Sequence, residues 1–285
     1  MVPTQTRKSA VAGAFYPSNA QDIRRMLDTL KSRAGDQPKG KHPPIVIVPH
    51  AGWVYSGLAA VRGIMTLASS PPARIVLIGP SHYHYFMGFS LGGYANYMTP
   101  LGEIEGDLAL YHEISDATGY GFIEEAHIRE HSIEVILPML QHLLPGSFKI
   151  LPIQTGSVSR ADINKLADAL AAAIDPLADA MVVSTDLSHF FSYDEARGLD
   201  KDTIDYIIKG NDQALIERSG EGGRLCCGFT GVVVAMNLAK KWSLGEPELL
   251  MYYNSGDSGG DLDRVVGYAS IAYPAPDLNA LNKAQ

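Results

Sequence analysis

Three of the nine histidines come directly after short apolar runs: His50 after "IVIVP", His82 after "IVLIGPS" and His189 after "MVVSTDLS". Imidazole is the commonest side-chain metal ligand and a ready general base near neutral pH, so matching placement of three rings points to one of those chemistries. A single histidine after a strand is an ordinary loop residue; the shared position is the signal. His84 lies two residues beyond His82 and competes with it, although in an extended segment the two side chains point to opposite faces. His42, His112 and His142 read as solvated residues of loops or helix surfaces.

Two further motifs carry reactive side chains. In "EHSIE" (130–134) Ser132 and the flanking acids suit a helix start, and His131 reads either as part of that start or as an imidazole that orients a neighbour or faces a substrate. The order of Glu130 and His131 does not fit the H-E-x-x-H zinc-protease pattern. In "CCGFTGVVVAM" a thiol precedes an apolar helical run, where the helix dipole would favour the thiolate that binds metal or attacks. One of the pair, Cys226 and Cys227, then reads as a small buried hydrophobe, and the absence of C-x-x-C argues against a zinc knuckle. The loop "NSGDSGGDLD" contains no lysine and no P-loop pattern, so Ser255, Asp257 and Asp261 read as turn caps.

The elements that would position these groups alternate along the chain. "PIVIVP", "RIVLIGP", "FKILPIQTG", "DAMVVSTDLSH" and "RVVGYASIAY" have the continuous apolar character of strands buried on both faces. Between them "AQDIRRMLDTLKSR", "SIEVILPMLQHLL", "RADINKLADALAAAI" and "KDTIDYIIKGNDQALIERS" carry helical periodicity. The expected fold class is α/β, with a central mostly parallel or mixed sheet and helices on both faces. In such a sheet, His50, His82 and His189 arrive at one edge, where α/β proteins build their sites. "GPSHYHYFMGFSLGGYANYMTPLGEIEGD" reads as a hairpin with long loops inserted after the second core strand. No repeat or long linker divides the chain, so residues 1–285 are expected to form one domain, with a core from about 10 to 273 and short terminal extensions.

Composition narrows the function classes. The net charge of -8 gives no electrostatic footprint for nucleic acid or an anionic membrane. No apolar run reaches the length of a membrane span, and the N-terminus lacks the apolar stretch of a secretory signal. Two adjacent cysteines make no disulfide framework, which fits a reducing compartment; the expectation is a cytoplasmic protein.

In order along the chain, "VPHAGWVYSG", "LIGPSHY", "EHSIEVILPML", "STDLSHF", "CGFTGVVVAM" and "NSGDSGGDLDRVVGYAS" resemble the Memo family, whose prokaryotic members are called AmmeMemoRadiSam system protein B. The resemblance implies a fold similar to the class III extradiol ring-cleavage dioxygenases. It also implies a metal held by His50, His82 and Cys227, with His189 and Asp186 of "STDLSH" beside it. The related dioxygenases use Fe(II); a thiolate in place of their carboxylate makes the site softer, so Cu or Zn are also admitted. As an iron-dependent oxidoreductase, the chain would use His189 as base or hydrogen-bond donor, with Asp186 or His131 orienting an imidazole or a substrate. The sequence names no substrate beyond a small molecule; Trp53, Tyr55, Tyr83, Tyr193 and Phe229 could stack on an aromatic ring, although such side chains are more often core. The alternatives implied are a metal carrier, or a partner of an AMMECR-type protein and a radical SAM protein; the phosphopeptide adaptor role described in the family lacks an arginine cluster here.

Overall fold

The computed structural model describes residues 5–36, 41–220 and 225–275. Of the C-terminal extension expected above, residues 276–285 lie outside them. Among the described residues the strands are β1 Thr6–Arg7, β2 Ile45–Val48, β3 Arg74–Pro80, β4 Phe89–Leu91, β5 Asn96–Thr99, β6 Gly102–Gly106, β7 Lys149–Thr155, β8 Ala180–Ser184, β9 His189–Phe191, β10 Glu248–Asn254 and β11 Val265–Tyr273. They join in one mixed sheet in the order β1-β5-β6-β7-β3-β8-β2-β11-β10, with β4 on β7 and β9 on β11. The centre, β7-β3-β8-β2, is parallel. β11 closes one side antiparallel to β2 and β10.

The continuous apolar runs are explained by two cores, one on each face. Ile45, Ile47, Val76, Ile78, Met181 and Val183 belong to one cluster, whereas the alternate residues Val46, Val48, Ile75, Leu77, Ala180 and Val182 belong to the other. Successive side chains of a strand point to opposite faces, so a strand with both faces covered must be apolar at every position. The helices α1 (Ala20–Arg33) and α2 (Trp53–Ile64) cover the second face; α3 (Leu108–Thr118), α6 (Arg160–Ala173) and α9 (Phe229–Lys241) cover the first. Local chemistry starts α1 and α6: the Asn19 side chain accepts from Asp22 N, and Ser159 with Asp162 forms a capping box. No described helix is long and apolar enough to cross a membrane.

Three segments differ from the sequence expectation. "SIEVILPMLQHLL" is α-helical only from Leu137 (α5, Leu137–Leu143), after α4 (Glu124–His127) and a 3-10 turn at Glu134–Ile136. "KDTIDYIIKGNDQALIERS" is two helices, α7 (Tyr193–Ile208) and α8 (Asp212–Gly220), broken at Gly210, whose φ of 67° ends the first. His42, read as solvated, is buried, with Nδ1 against Pro43 O at 3.1 Å. Two of the turn caps are as expected, Asp257 Oδ2 accepting from Asn254 N and Asp261 Oδ1 from Asp263 N, whereas Ser255 Oγ accepts from Val266 N of β11 and so ties the loop to the sheet instead.

Candidate metal centre

β3, β8 and β2 are neighbours and run the same way, so their carboxyl ends open on one edge of the sheet. His50 follows β2 after Pro49, and His82 follows β3 after Ser81. Their rings meet edge to face with centroids 5.2 Å apart. A third ring, His131, stacks on His82 at 4.5 Å and lies 5.5 Å from His50. One nitrogen from each of the three lies within 4.8 Å of the others.

His131 reaches this edge without a strand of its own. It sits between α4 and the 3-10 turn, in a segment laid across the strand ends: Ser132 Oγ donates to Pro80 O at 2.8 Å, and Ser184 Oγ donates to Ser132 O. The "EHSIE" side chains therefore do not cap a helix. They bind the segment to the rest of the molecule, which local sequence alone does not reveal.

Hydrogen bonding sets which ring nitrogen is free. The Ser184 hydroxyl gives its one proton to Ser132 O, so toward His50 Nδ1, 2.7 Å away, it can only accept. His50 is thus the Nδ1–H tautomer with Nε2 bare. Burial lowers the His50 pKa to about 4, and the His82 and His131 rings add to this against the pull of Asp186. The ring is neutral at physiological pH, as a metal ligand must be. His82 Nδ1 faces Glu130 Oε1 at 2.9 Å. His131 Nδ1 is buried without a hydrogen-bond partner, 3.2 Å from that same oxygen but without hydrogen-bond geometry.

Cys227 borders the cluster at His50. Its Sγ is 3.3 Å from His50 Nε2, and Asp186 N donates to it at 3.3 Å. The approach depends on Gly228, whose N–H donates to Thr185 Oγ1 at 2.8 Å; a Cβ there would stand 2.5 Å from Ser184 O. Burial, then the Asp186 charge, pushes the Cys227 thiol well above its ordinary value. Placement before α9 thus does not by itself yield a thiolate; a cation has to stabilise it. Cys226 is buried in the core, as expected of one of the pair, and burial pushes its thiol up to about 12. Asp186 holds the loop that carries His50: its Oδ1 accepts from His50 N at 2.8 Å and Ala51 N at 3.2 Å. Its Oδ2 lies 4.0 Å from His50 Nε2.

The third strand-end histidine follows a different course. His189 opens β9, is paired with Val266 of β11, and has its ring 5.7 Å from that of Phe190. A cleft of about 460 Å³ adjoins the cluster, lined by His82, Tyr83, Thr155, Cys227, Phe229 and Thr230 among others. Of the aromatic candidates, Tyr83 and Phe229 line it. Trp53 is core, with Nε1 donating to Val135 O; Tyr55 borders a separate groove; Tyr193 donates to Asp257.

An α/β sheet that brings several histidines and a cysteine to its carboxyl edge defines a class of candidate metal proteins. The Memo-like protein family profile matches residues 7–272. MEMO1 family proteins are similar over almost their whole length. That of Methanobrevibacter smithii is 33% identical over 277 residues, 93% of this chain and 98% of the relative. Those of Aquifex aeolicus (32% over 270 residues, 94% and 99%) and Ignicoccus hospitalis (34% over 288 residues, 95% and 99%) agree. The chain belongs to the Memo family, and its α/β architecture is consistent with the dioxygenase-like fold that the family resemblance implied.

Proposed function

We propose that the chain binds a transition-metal ion through His50, His82 and a third donor: the Cys227 thiolate implied by family resemblance, or the His131 imidazole offered by the geometry. The observation that carries this reading is the three-ring cluster, in which His50 is neutral with a bare Nε2 and His131 has a buried, unpartnered nitrogen. An orphaned buried nitrogen in a group of imidazoles fits a divalent or monovalent d-block cation, whose charge would supply what the site lacks. Fe(II) is the ion favoured by the resemblance; Cu or Zn suit the sulfur.

The activity proposed is a dioxygenase-like oxidation of a small molecule. Bound Fe(II) would supply redox chemistry with O₂. The residues supply the rest: Asp186 fixes the His50 loop, the cleft admits a substrate beside His82 and Cys227, and Tyr83 and Phe229 can stack on a ring. His189 would serve as proton acceptor or hydrogen-bond donor to the substrate, with Asp186 or His131 orienting the reacting groups. In this reading the protein works in the cytoplasm, with an AMMECR-type and a radical SAM protein as partners. A second reading, metal carriage without turnover, is favoured by the thiol itself, a soft donor that O₂ chemistry would put at risk.

Elemental analysis of anaerobically purified protein, followed by O₂-uptake measurements with catechols, separates these readings. Near-stoichiometric iron with uptake that fails in His189→Ala supports the oxidase. Bound metal without turnover supports carriage, and no metal in any preparation overturns both.

A further inference from the structure

We infer that Glu130 is the positioning residue of the centre: one buried carboxylate sets the tautomer of His82 and the placement of His131, leaving His82 Nε2 bare for a metal. This rests on the metal reading above and adds a residue to it. Glu130 Oε1 faces His82 Nδ1 at 2.9 Å and accepts from the backbone N–H groups of His131 and Ser132, both at 2.9 Å. Its Oε2 accepts from His82 N. Ring and backbone of His82 are therefore gripped by the two oxygens of the same group, and the backbone of His131 by one of them.

The grip has its own foundation. The carboxylate is 1% exposed, and Arg7 Nη2 donates to the Glu130 carbonyl at 2.7 Å, so the N-terminal strand pins the backbone from which this side chain projects. His82 has a side chain 31% exposed and would otherwise be free to rotate. A carboxylate that accepts from Nδ1–H leaves the opposite nitrogen unprotonated and makes it a stronger donor to metal, the usual role of a carboxylate behind a ligating histidine.

The experiment combines two readouts. In metal-free, ¹⁵N-histidine-labelled wild type at neutral pH, long-range ¹H–¹⁵N correlation should show His82 as the Nδ1–H tautomer. An Nε2–H ring overturns the inference directly, whether or not any variant folds. In Glu130→Gln, which keeps the shape but loses one acceptor oxygen, the tautomer signal should become mixed, and Zn(II) and Co(II) affinity should fall about 10- to 100-fold. Glu130→Asp should recover part of that affinity. A Glu130→Gln protein with lowered melting temperature, unchanged His82 tautomer and metal affinity within about threefold of wild type would assign Glu130 a merely structural role and overturn the inference. Failure of wild type to take up metal would instead remove the reading on which it rests, independently of the tautomer.

Discussion

Glu130 and Glu134 belong to one short motif and both are buried, but they are satisfied in different ways. Glu130 is surrounded by two imidazoles and three backbone N–H groups, all near the candidate metal centre. Glu134 meets a permanent cation, Arg7 Nη1 at 2.7 Å, together with Tyr16 Oη and the N–H groups of Ala10 and Val11. The second arrangement ties the N-terminal segment to the body with a charge that pH does not remove from arginine. The first leaves a negative charge beside rings that can take a metal. One half of the motif is a fastener and the other is part of a responsive site.

Acid should stress this division most strongly. His50 lies in the site, with a pKa lowered to about 4; His127 lies on the Arg7 side, where burial and then the Arg7 charge lower it to about 3. An unfolded chain protonates both rings below about 6.5, while the native protein refuses the protons until pH reaches those lower values. Stability is therefore full above about pH 6.5 and falls as pH drops toward 4, by of order 3 kcal/mol per ring at about 1.4 kcal/mol per unit. Urea unfolding across this range measures the slope in metal-free protein. Saturating Zn(II) should raise stability overall but leave the His50 share of the loss in place and carry it on below pH 4, because a metal-bound ring still refuses the proton, while the His127 share keeps its lower limit near 3. A loss that still levels off near pH 4 with Zn(II) present would take His50 out of the metal site.

Removing the fastener is the next largest change. Glu134→Gln strands the Arg7 charge in a buried position and should cost about 3–5 kcal/mol in urea unfolding. Metal affinity of the folded fraction should stay within a few-fold of wild type. Loss of metal binding in well-folded Glu134→Gln protein would show that the fastener and the site are coupled through Glu130.

How much of this was legible in the sequence follows the same physics. The five apolar runs were readable because burial on both faces writes itself into every position, and the ends of two of them place His50 and His82 together, whereas His189 lies further on, in β9 paired with β11, and His131 takes the third place in the ring cluster. The short strands β4, β5 and β6 carry no such run and were visible only as a loop-rich hairpin. "EHSIE" was readable as a helix start because its local signals match one; its true partners, Arg7, His82 and the ends of β3 and β8, are far away in the chain. For the same reason Ser184, which fixes the His50 tautomer, gave no signal among apolar neighbours.

Gly228 provides a smaller test on the site side. Alanine there would force its Cβ to within 2.5 Å of Ser184 O and 2.7 Å of Thr185 Cβ, so β8 and the Cys227 loop must separate. A loss of about 1–3 kcal/mol is expected, with weaker metal binding because Cys227 moves away from His50. Unchanged metal affinity in this destabilised variant would detach Cys227 from the centre.

The smallest effect on stability, and the sharpest on chemistry, belongs to Cys227→Ser. A serine hydroxyl can still accept from Asp186 N and donate to the bare His50 Nε2, so the metal-free protein should unfold within about 1 kcal/mol of wild type. If the sulfur is a donor, the variant should lose affinity for Cu(I) and Zn(II) far more than for harder ions, because only the soft ligand has been removed. His131→Gln should then leave the affinity for all of these ions within a few-fold of wild type. If Cys227→Ser leaves the Cu(I) to Fe(II) preference unchanged while His131→Gln abolishes binding, the third donor is the imidazole brought by the segment between Glu130 and Glu134. The responsive half of the motif would then supply a metal ligand as well as the carboxylate that positions one.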